Sequence, residues 1–288
     1  MKRISAIVCS GLAALLLAGC GTGSLDSLDE GPSGEAAEAL ENPNAMNPNA
    51  MNPNAMNPNA MNPNAMNPNA MNPNALNPTA ISATAMLALQ DPGSAGELSR
   101  QLLKYTVSCA LDTTQSFSFS WIDTQGAVHA EVYPGLLGLV PSWATRALDT
   151  AGQRWVSACL ASRVNWYGTP VMLSSRGAHT NLRTQSATER SDFPNLEGAF
   201  FGNIFMTNPV VYACYTAPNI AHSRSLLRDC AAGHVDSSGN VVDCGPVQIL
   251  GDCADYCAPL DAAGLYFPSC ARVSEGSTIV TIVTTYLP

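Results

Sequence analysis

Ser175, His179 and an acid supplied by Asp192 or Glu197 are the side chains of this chain that could assemble a nucleophile, base and orienting carboxylate. All four sit in one polar, glycine-bearing stretch. A Ser-His-acid triad is defined by geometry and not by spacing, so the sequence leaves that assembly open. The local signatures of catalysis are missing, however. There is no G-x-S-x-G elbow, no H-E-x-x-H and no phosphate-binding G-x-x-x-x-G-K, and beyond Lys2 the chain has a single lysine, Lys104, which no S-x-x-K motif recruits. The expectation is a non-catalytic protein with no catalytic residue to assign. A secreted hydrolase with an unrecognised site is the alternative.

Metal binding would need His222, Cys230, His234 and Cys244, two imidazoles and two thiolates, with Cys253 and Cys257 spaced four apart beside them. Zinc sites favour tighter ligand pairs, and thiolates in an oxidising space must escape pairing with one another. Asp236-Ser237-Ser238-Gly239-Asn240 resembles a calcium loop, but Val241 stands where an EF-hand needs glycine and no glutamate closes the span, so a hairpin turn is expected instead. The methionines from Met46 to Met71 offer thioethers to a soft cation, with no His or Cys nearby to complete a site. No metal and no cofactor is expected.

Cysteine use is more informative. Besides Cys9 and Cys20, the chain holds Cys109, Cys159, Cys214, Cys230, Cys244, Cys253, Cys257 and Cys270. An even set in an exported chain is expected to oxidise into four disulfides, whose connectivity has 105 solutions. Cys109 and Cys159 both fall late on apolar helical faces, and packed helices would pair them. The others crowd into a glycine- and aspartate-rich region that reads as loops closed covalently in place of a large core.

That the chain is exported follows from its first residues. Lys2 and Arg3 precede an apolar stretch from Ile4 to Ala18, too short to span a bilayer and suited to a signal peptide. Leu17-Ala18-Gly19-Cys20 resembles the lipobox of bacterial lipoproteins. The resemblance implies cleavage before Cys20, acylation of its sulfur and a membrane anchor. With Gly21 in place of an aspartate it implies, in a Gram-negative host, the outer membrane. Several acyl chains anchor stably at about 0.8 kcal/mol per buried methylene.

Residues 20–93 read as a tether. Asp26, Asp29, Glu30, Glu35, Glu38, Glu41 and Asp91 give it a charge of -7 with no basic residue, so it repels an anionic lipid surface. Within it lie seven copies of Asn-Pro-Asn-Ala separated mostly by Met, followed by Asn77-Pro78-Thr79-Ala80-Ile81. Proline every fifth residue removes a backbone donor and bars regular helix or central strand, and one apolar side chain in five buries too little to offset ordering entropy. The expectation is a disordered spacer with a coil span of roughly 50 Å. Without residues 1–19 the chain carries 11 basic and 22 acidic residues, which excludes nucleic acid as a natural partner.

From residue 94 to 288 the patterning becomes that of a folded domain. Ser94-Ala95-Gly96-Glu97 has capping-box spacing, and Leu98, Leu102, Tyr105 and Cys109 recur at helical intervals. Phe117, Phe119 and Trp121 alternate with serines and lead through Thr124-Gln125-Gly126 to Val128, Ala130 and Val132, a hairpin pattern. A second helix is expected from Asp149 to about Val164, with strands at 167–173, 210–215 and 278–286. Helices and strands mix without βαβ alternation, so the predicted class is α+β: helices packed on antiparallel strands and stapled by disulfides.

Gln153-Arg154-Trp155-Val156-Ser157-Ala158-Cys159-Leu160 and Glu197-Gly198-Ala199-Phe200-Phe201-Gly202-Asn203, with the Asn-Pro tract after the lipobox, resemble a group of Gram-negative lipoproteins. That resemblance covers most of the chain and implies no activity. Ala254-Asp255-Tyr256-Cys257 matches the string that names the ADYC domain of other secreted proteins. Trp121, Trp143, Trp155, Trp166 and Tyr167 include candidates for an aromatic sugar-binding platform. The expected role is therefore a membrane-anchored surface module whose partner is a protein or a glycan.

Overall fold

The computed structural model describes residue 76 and residues 81–183, 185–207, 209–272 and 277–288. Cys20, the segment expected to be a signal peptide and most of the repeat tract lie outside the described residues. In chain order the elements are α1 (Ala83–Gln90), α2 (Ser94–Ala110), β1 (Ser116–Ile122), β2 (Val128–Pro134), α3 (Thr150–Ser162), β3 (Ser174–Arg176), α4 (Thr180–Arg183), α5 (Ala187–Asp192), β4 (Asn195–Asn203), β5 (Val210–Tyr215), α6 (Ile220–Ser225), β6 (His234–Val235), β7 (Val241–Val242), β8 (Val247–Asp252), α7 (Cys253–Tyr256), β9 (Cys270–Arg272), β10 (Ser277–Ile279) and β11 (Ile282–Leu287). The class is α+β, as the patterning predicted.

A five-stranded sheet in the order β3-β11-β4-β5-β8 carries the main core. Its first four strands pair antiparallel, and β5 with β8 is a parallel pair. All six residues of β11 are buried. Its β-branched run Ile282-Val283-Thr284-Thr285 therefore suits a strand covered on both faces. Helix α3 lies against β4 and β11 and also meets α2. Its Asp149 cap is the residue the sequence pointed to: the carboxylate accepts the Gly152 N–H at 2.7 Å, satisfying a donor that the first helical turn leaves open. Strand β4 was not foreseen, because Gly198 and Gly202 weaken its strand signal. Position 198 needs a glycine: a Cβ there would stand 2.1 Å from the Cys214 carbonyl oxygen of the neighbouring strand.

Other boundaries shift. The N-cap of α2 is Gly93 and not Ser94, and no side chain caps it. The expected strand at 167–173 is a turn and connecting chain, with β3 following it. The expected C-terminal strand divides into β10 and β11, with Val280 and Thr281 between them. The hairpin of β1 and β2 has the expected alternation, with Phe117 opposite Tyr133 on the buried face. The Asp236 loop is the hairpin turn expected, joining β6 to β7 with Gly239 at φ +81°.

The folded part also begins earlier than residue 94. Leu76 and Ile81 are both buried in the main core, and the Leu76 N–H donates to the Trp143 carbonyl at 2.7 Å. These two residues occupy the fifth position of consecutive repeat units. The same apolar slot that Met fills upstream is thus used here as a core residue, and α1 lies within the span expected to be tether. Arg100 fastens α1 to α2 by donating to the Leu89 and Asp91 carbonyls at 2.9 and 2.8 Å.

Four disulfides join Cys109 to Cys159, Cys214 to Cys253, Cys230 to Cys244 and Cys257 to Cys270. The first is the pair that the helical faces suggested. It links the end of α2 to α3, and both cysteines are fully buried. Among the described residues no helix is long and apolar enough to cross a membrane.

Candidate functional site

The side chains that could have formed a hydrolytic triad have separate surroundings. Ser175 is buried in β3 and its hydroxyl has no hydrogen-bond partner. The His179 Nδ1 accepts the Asn181 N–H at 3.2 Å, and its ring meets Trp155 edge-on. Asp192 is exposed at the end of α5. Glu197 is wholly buried and its carboxylate lies 2.7 Å from the Arg228 Nε.

Burial lowers the His179 imidazole below its ordinary value. The folded state therefore binds the imidazole proton less readily than the unfolded chain. Its contribution is complete above the unfolded value, near 6.5, and is lost as pH falls toward the lowered folded value. His179→Gln is expected to flatten this part of the profile, which thermal unfolding midpoints measured between neutral and mildly acidic pH would read.

The proposed metal ligands also diverge. Cys230 and Cys244 are bonded to each other. His222 hydrogen-bonds the Pro288 carbonyl and lies 3.2 Å from the Asn195 amide nitrogen. His234 has a different neighbourhood, described next.

Of the aromatic candidates, Trp143 is buried and Trp155 half-buried. The Trp121 ring is covered by the Arg100 guanidinium at 3.8 Å and by His129 stacked at 4.3 Å. It also edges a shallow cavity of about 380 Å³ between α1 and β1, whose other walls are Gln90, Ser120, Ile122 and Val128. No ionisable group lines that concavity. Trp166 and Tyr167 are different, being 42% and 44% exposed on consecutive residues.

Local chemistry explains their display. Chain leaving α3 is turned by Asn165, which is fully buried: its amide donates to the Thr169 carbonyl at 2.7 Å and its oxygen accepts the Tyr167 N–H at 3.0 Å. Gly168, at φ +66° with open space around it, completes the turn. Trp166 and Tyr167 are thereby held on a short rigid loop instead of folding inward.

Behind them stands His234, the first residue of β6. Its imidazole stacks on Trp166 with centroids 4.2 Å apart and planes 10° from parallel, and meets Tyr167 edge-on at 5.5 Å. The His234 Nδ1 donates to the Asp229 carboxylate at 2.8 Å, and Asp229 is only 1% exposed. Burial first, then the nearby Asp229 carboxylate, pushes the Tyr167 phenol above its ordinary value. The Cys230–Cys244 bridge pins the chain beside Asp229. Arg228 ties the same segment to the end of α3 by donating to the Ser162 carbonyl at 2.6 Å. Leu227, just before it, is the one non-glycine residue at positive φ among the described residues (+55°), a backbone conformation held by its surroundings at some cost.

The result is two fixed, solvent-facing rings with an imidazole and a buried carboxylate behind them. The face of Trp166 turned away from His234 can stack a flat apolar ligand face, and Tyr167, steeply inclined to it, can border that ligand with its ring edge. Trp166 and Tyr167 could be flagged from sequence as adjacent aromatics before a glycine. Asp229 and His234 could not, since more than 60 residues separate them from Trp166.

No protein-family model matches this chain, and neither the curated proteins nor the solved structures searched give a match.

Proposed function

We propose that this protein is a non-catalytic binding module, exported and held at the cell envelope by a lipid on Cys20, and that its ligand is a glycan stacked on Trp166 and bordered by Tyr167. The observation that carries the reading is the adjacent, exposed pair of aromatic rings fixed from behind by His234 and Asp229. Sugar rings present apolar C–H faces and a polar rim, which fits flat aromatic surfaces next to hydrogen-bonding groups. The four disulfides agree with an oxidising compartment. The lipobox-like segment ending at Cys20 supports anchoring, with the outer membrane as the proposed location. The acidic balance of the chain argues against a nucleic-acid partner.

Binding of the full chain to an array of envelope polysaccharides and oligosaccharides tests the ligand. A glycan that binds wild type is expected to lose at least about tenfold in affinity, about 1.4 kcal/mol, with Trp166→Ala, and to quench tryptophan fluorescence on binding. Equal affinity in Trp166→Ala and Tyr167→Ala would remove the assignment of the site. Anchoring has its own readout: Cys20→Ala is expected to abolish incorporation of radiolabelled fatty acid and to release the protein into the soluble fraction.

A further inference from the structure

Four cysteines of the sheet's far edge form two disulfides that touch. Cys214 on β5 is bonded to Cys253 at the start of α7, and Cys257, just past α7, is bonded to Cys270 on β9. The Cys214 and Cys257 sulfurs, which are not bonded to each other, lie 3.7 Å apart, the van der Waals contact distance of two sulfur atoms. The sulfurs of Cys214, Cys253 and Cys257 all fall within 4.8 Å of one another. Cys253 and Cys257 are separated by one helical turn, closed by the Cys257 N–H donating to the Cys253 carbonyl at 2.8 Å. Cys214, Cys253 and Cys270 are buried, whereas Cys257 is partly exposed. The outer bridge thus has its more exposed end at Cys257, whereas both cysteines of the inner bridge are buried.

We propose that Cys257 and Cys214 form an internal thiol–disulfide exchange site, opened by a dithiol reductant and passing the exchange from the outer bridge to the inner one. In the first step the dithiol attacks the Cys257 sulfur, the Cys257–Cys270 bond breaks, and the reductant's second thiol closes its own disulfide. Cys257 and Cys270 are left as thiols, and the reductant has given up two electrons and two protons. In the second step the Cys257 thiolate, freed by the loss of its own bridge to rotate from its side-on contact, attacks the Cys214 sulfur in line with the Cys214–Cys253 bond. A Cys214–Cys257 bond forms, the Cys214–Cys253 bond breaks, and Cys253 leaves as a thiolate that takes up the proton Cys257 lost. The second step is redox-neutral. It keeps β5 tied to the end of α7 through Cys257 and frees Cys253, while Cys270 and the chain from Ala258 to β9 stay released by the first step. The proposal stands apart from the glycan site, which shares none of these residues.

Limited reduction of the full chain tests it. The protein is treated with substoichiometric dithiothreitol, quenched with acid, alkylated and cut with chymotrypsin, which cleaves after Tyr256 and so separates Cys253 from Cys257. The expected product carries label on Cys253 and Cys270 and contains a Cys214–Cys257 linked peptide. Label on Cys257 and Cys270 with the Cys214–Cys253 bond intact would overturn the proposal, as would label on Cys214 and Cys253 with the outer bridge intact. Cys270→Ser gives a second reading that needs no reductant, because it leaves one thiol to be shared among the remaining three cysteines. Label on Cys253 exceeding that on Cys257 severalfold supports exchange; label confined to Cys257 overturns it.

Discussion

Glu197→Ala is expected to lower the free energy of unfolding by about 3–5 kcal/mol, the range found when one partner of a buried ion pair is removed. Both side chains are wholly inaccessible, and the contact between the Glu197 carboxylate and the Arg228 Nε is 2.7 Å. Without the carboxylate the Arg228 charge stays buried, left to the Ser162 and Val164 carbonyls as neutral acceptors. A second arginine makes the situation worse. Arg163 is also buried, repelled by Arg228, and burial pushes its guanidinium down to about 9, leaving it charged at neutral pH. Glu197 is therefore the anion paired with Arg228, which is itself repelled by a second buried cation. Urea unfolding followed by tryptophan fluorescence measures the loss, and Glu197→Gln, which keeps an acceptor oxygen, is expected to cost less than Glu197→Ala. The double substitution Glu197→Leu with Arg228→Leu is expected to recover much of the single-variant loss, since an apolar pair of similar volume leaves no orphaned charge. Equal stability of Glu197→Ala and wild type would show that the pair is not held as described.

Replacing Cys109 and Cys159 together by serine is expected to cost roughly 4 kcal/mol from loop closure alone, because the bridge encloses 50 residues. Burial adds to this: both sulfurs are completely inaccessible, and the two hydroxyls that replace them would need partners in an apolar contact between α2 and α3. The Cys257–Cys270 bridge, with a separation of 13, is expected to contribute roughly 3 kcal/mol by the same reasoning. Thermal unfolding of the Cys109→Ser, Cys159→Ser chain beside a chain lacking only the outer bridge orders the two. A larger loss from the short bridge would contradict the account. A ligand that binds the folded state would raise every one of these midpoints with the logarithm of its concentration, so a glycan found on the array has a stability readout as well as an affinity.

The substitution at Glu197 also reaches the candidate glycan site, through Arg228. That guanidinium holds the last carbonyls of α3 next to the loop that presents Trp166 and Tyr167, and it directly precedes Asp229, which orients His234. The platform is thus built on the polar core of the domain and not merely laid on its surface.

The sequence by itself determined what depends on near neighbours and on composition. Alternation of Phe117, Phe119 and Trp121 with serines specified the first hairpin, because side chains of a strand alternate between faces. Asp149 marked the start of α3, because a carboxylate there satisfies an open helical donor. An even set of cysteines implied paired sulfurs, and the helical phase of Cys109 and Cys159 was enough to pair that one bridge. Tertiary structure alone decided the rest. Glu197 read as a candidate triad acid in a polar, glycine-bearing stretch until its strand was placed in the middle of the sheet and its carboxylate against Arg228. Leu76 and Ile81 looked like repeat filler until the core closed over them. His234 and Asp229 come under Trp166 because the Cys230–Cys244 bridge and Arg228 bring remote chain segments together. The reason is common to all three: burial, ion pairing and ring stacking depend on distances across the fold, which local propensity and spacing along the chain do not encode.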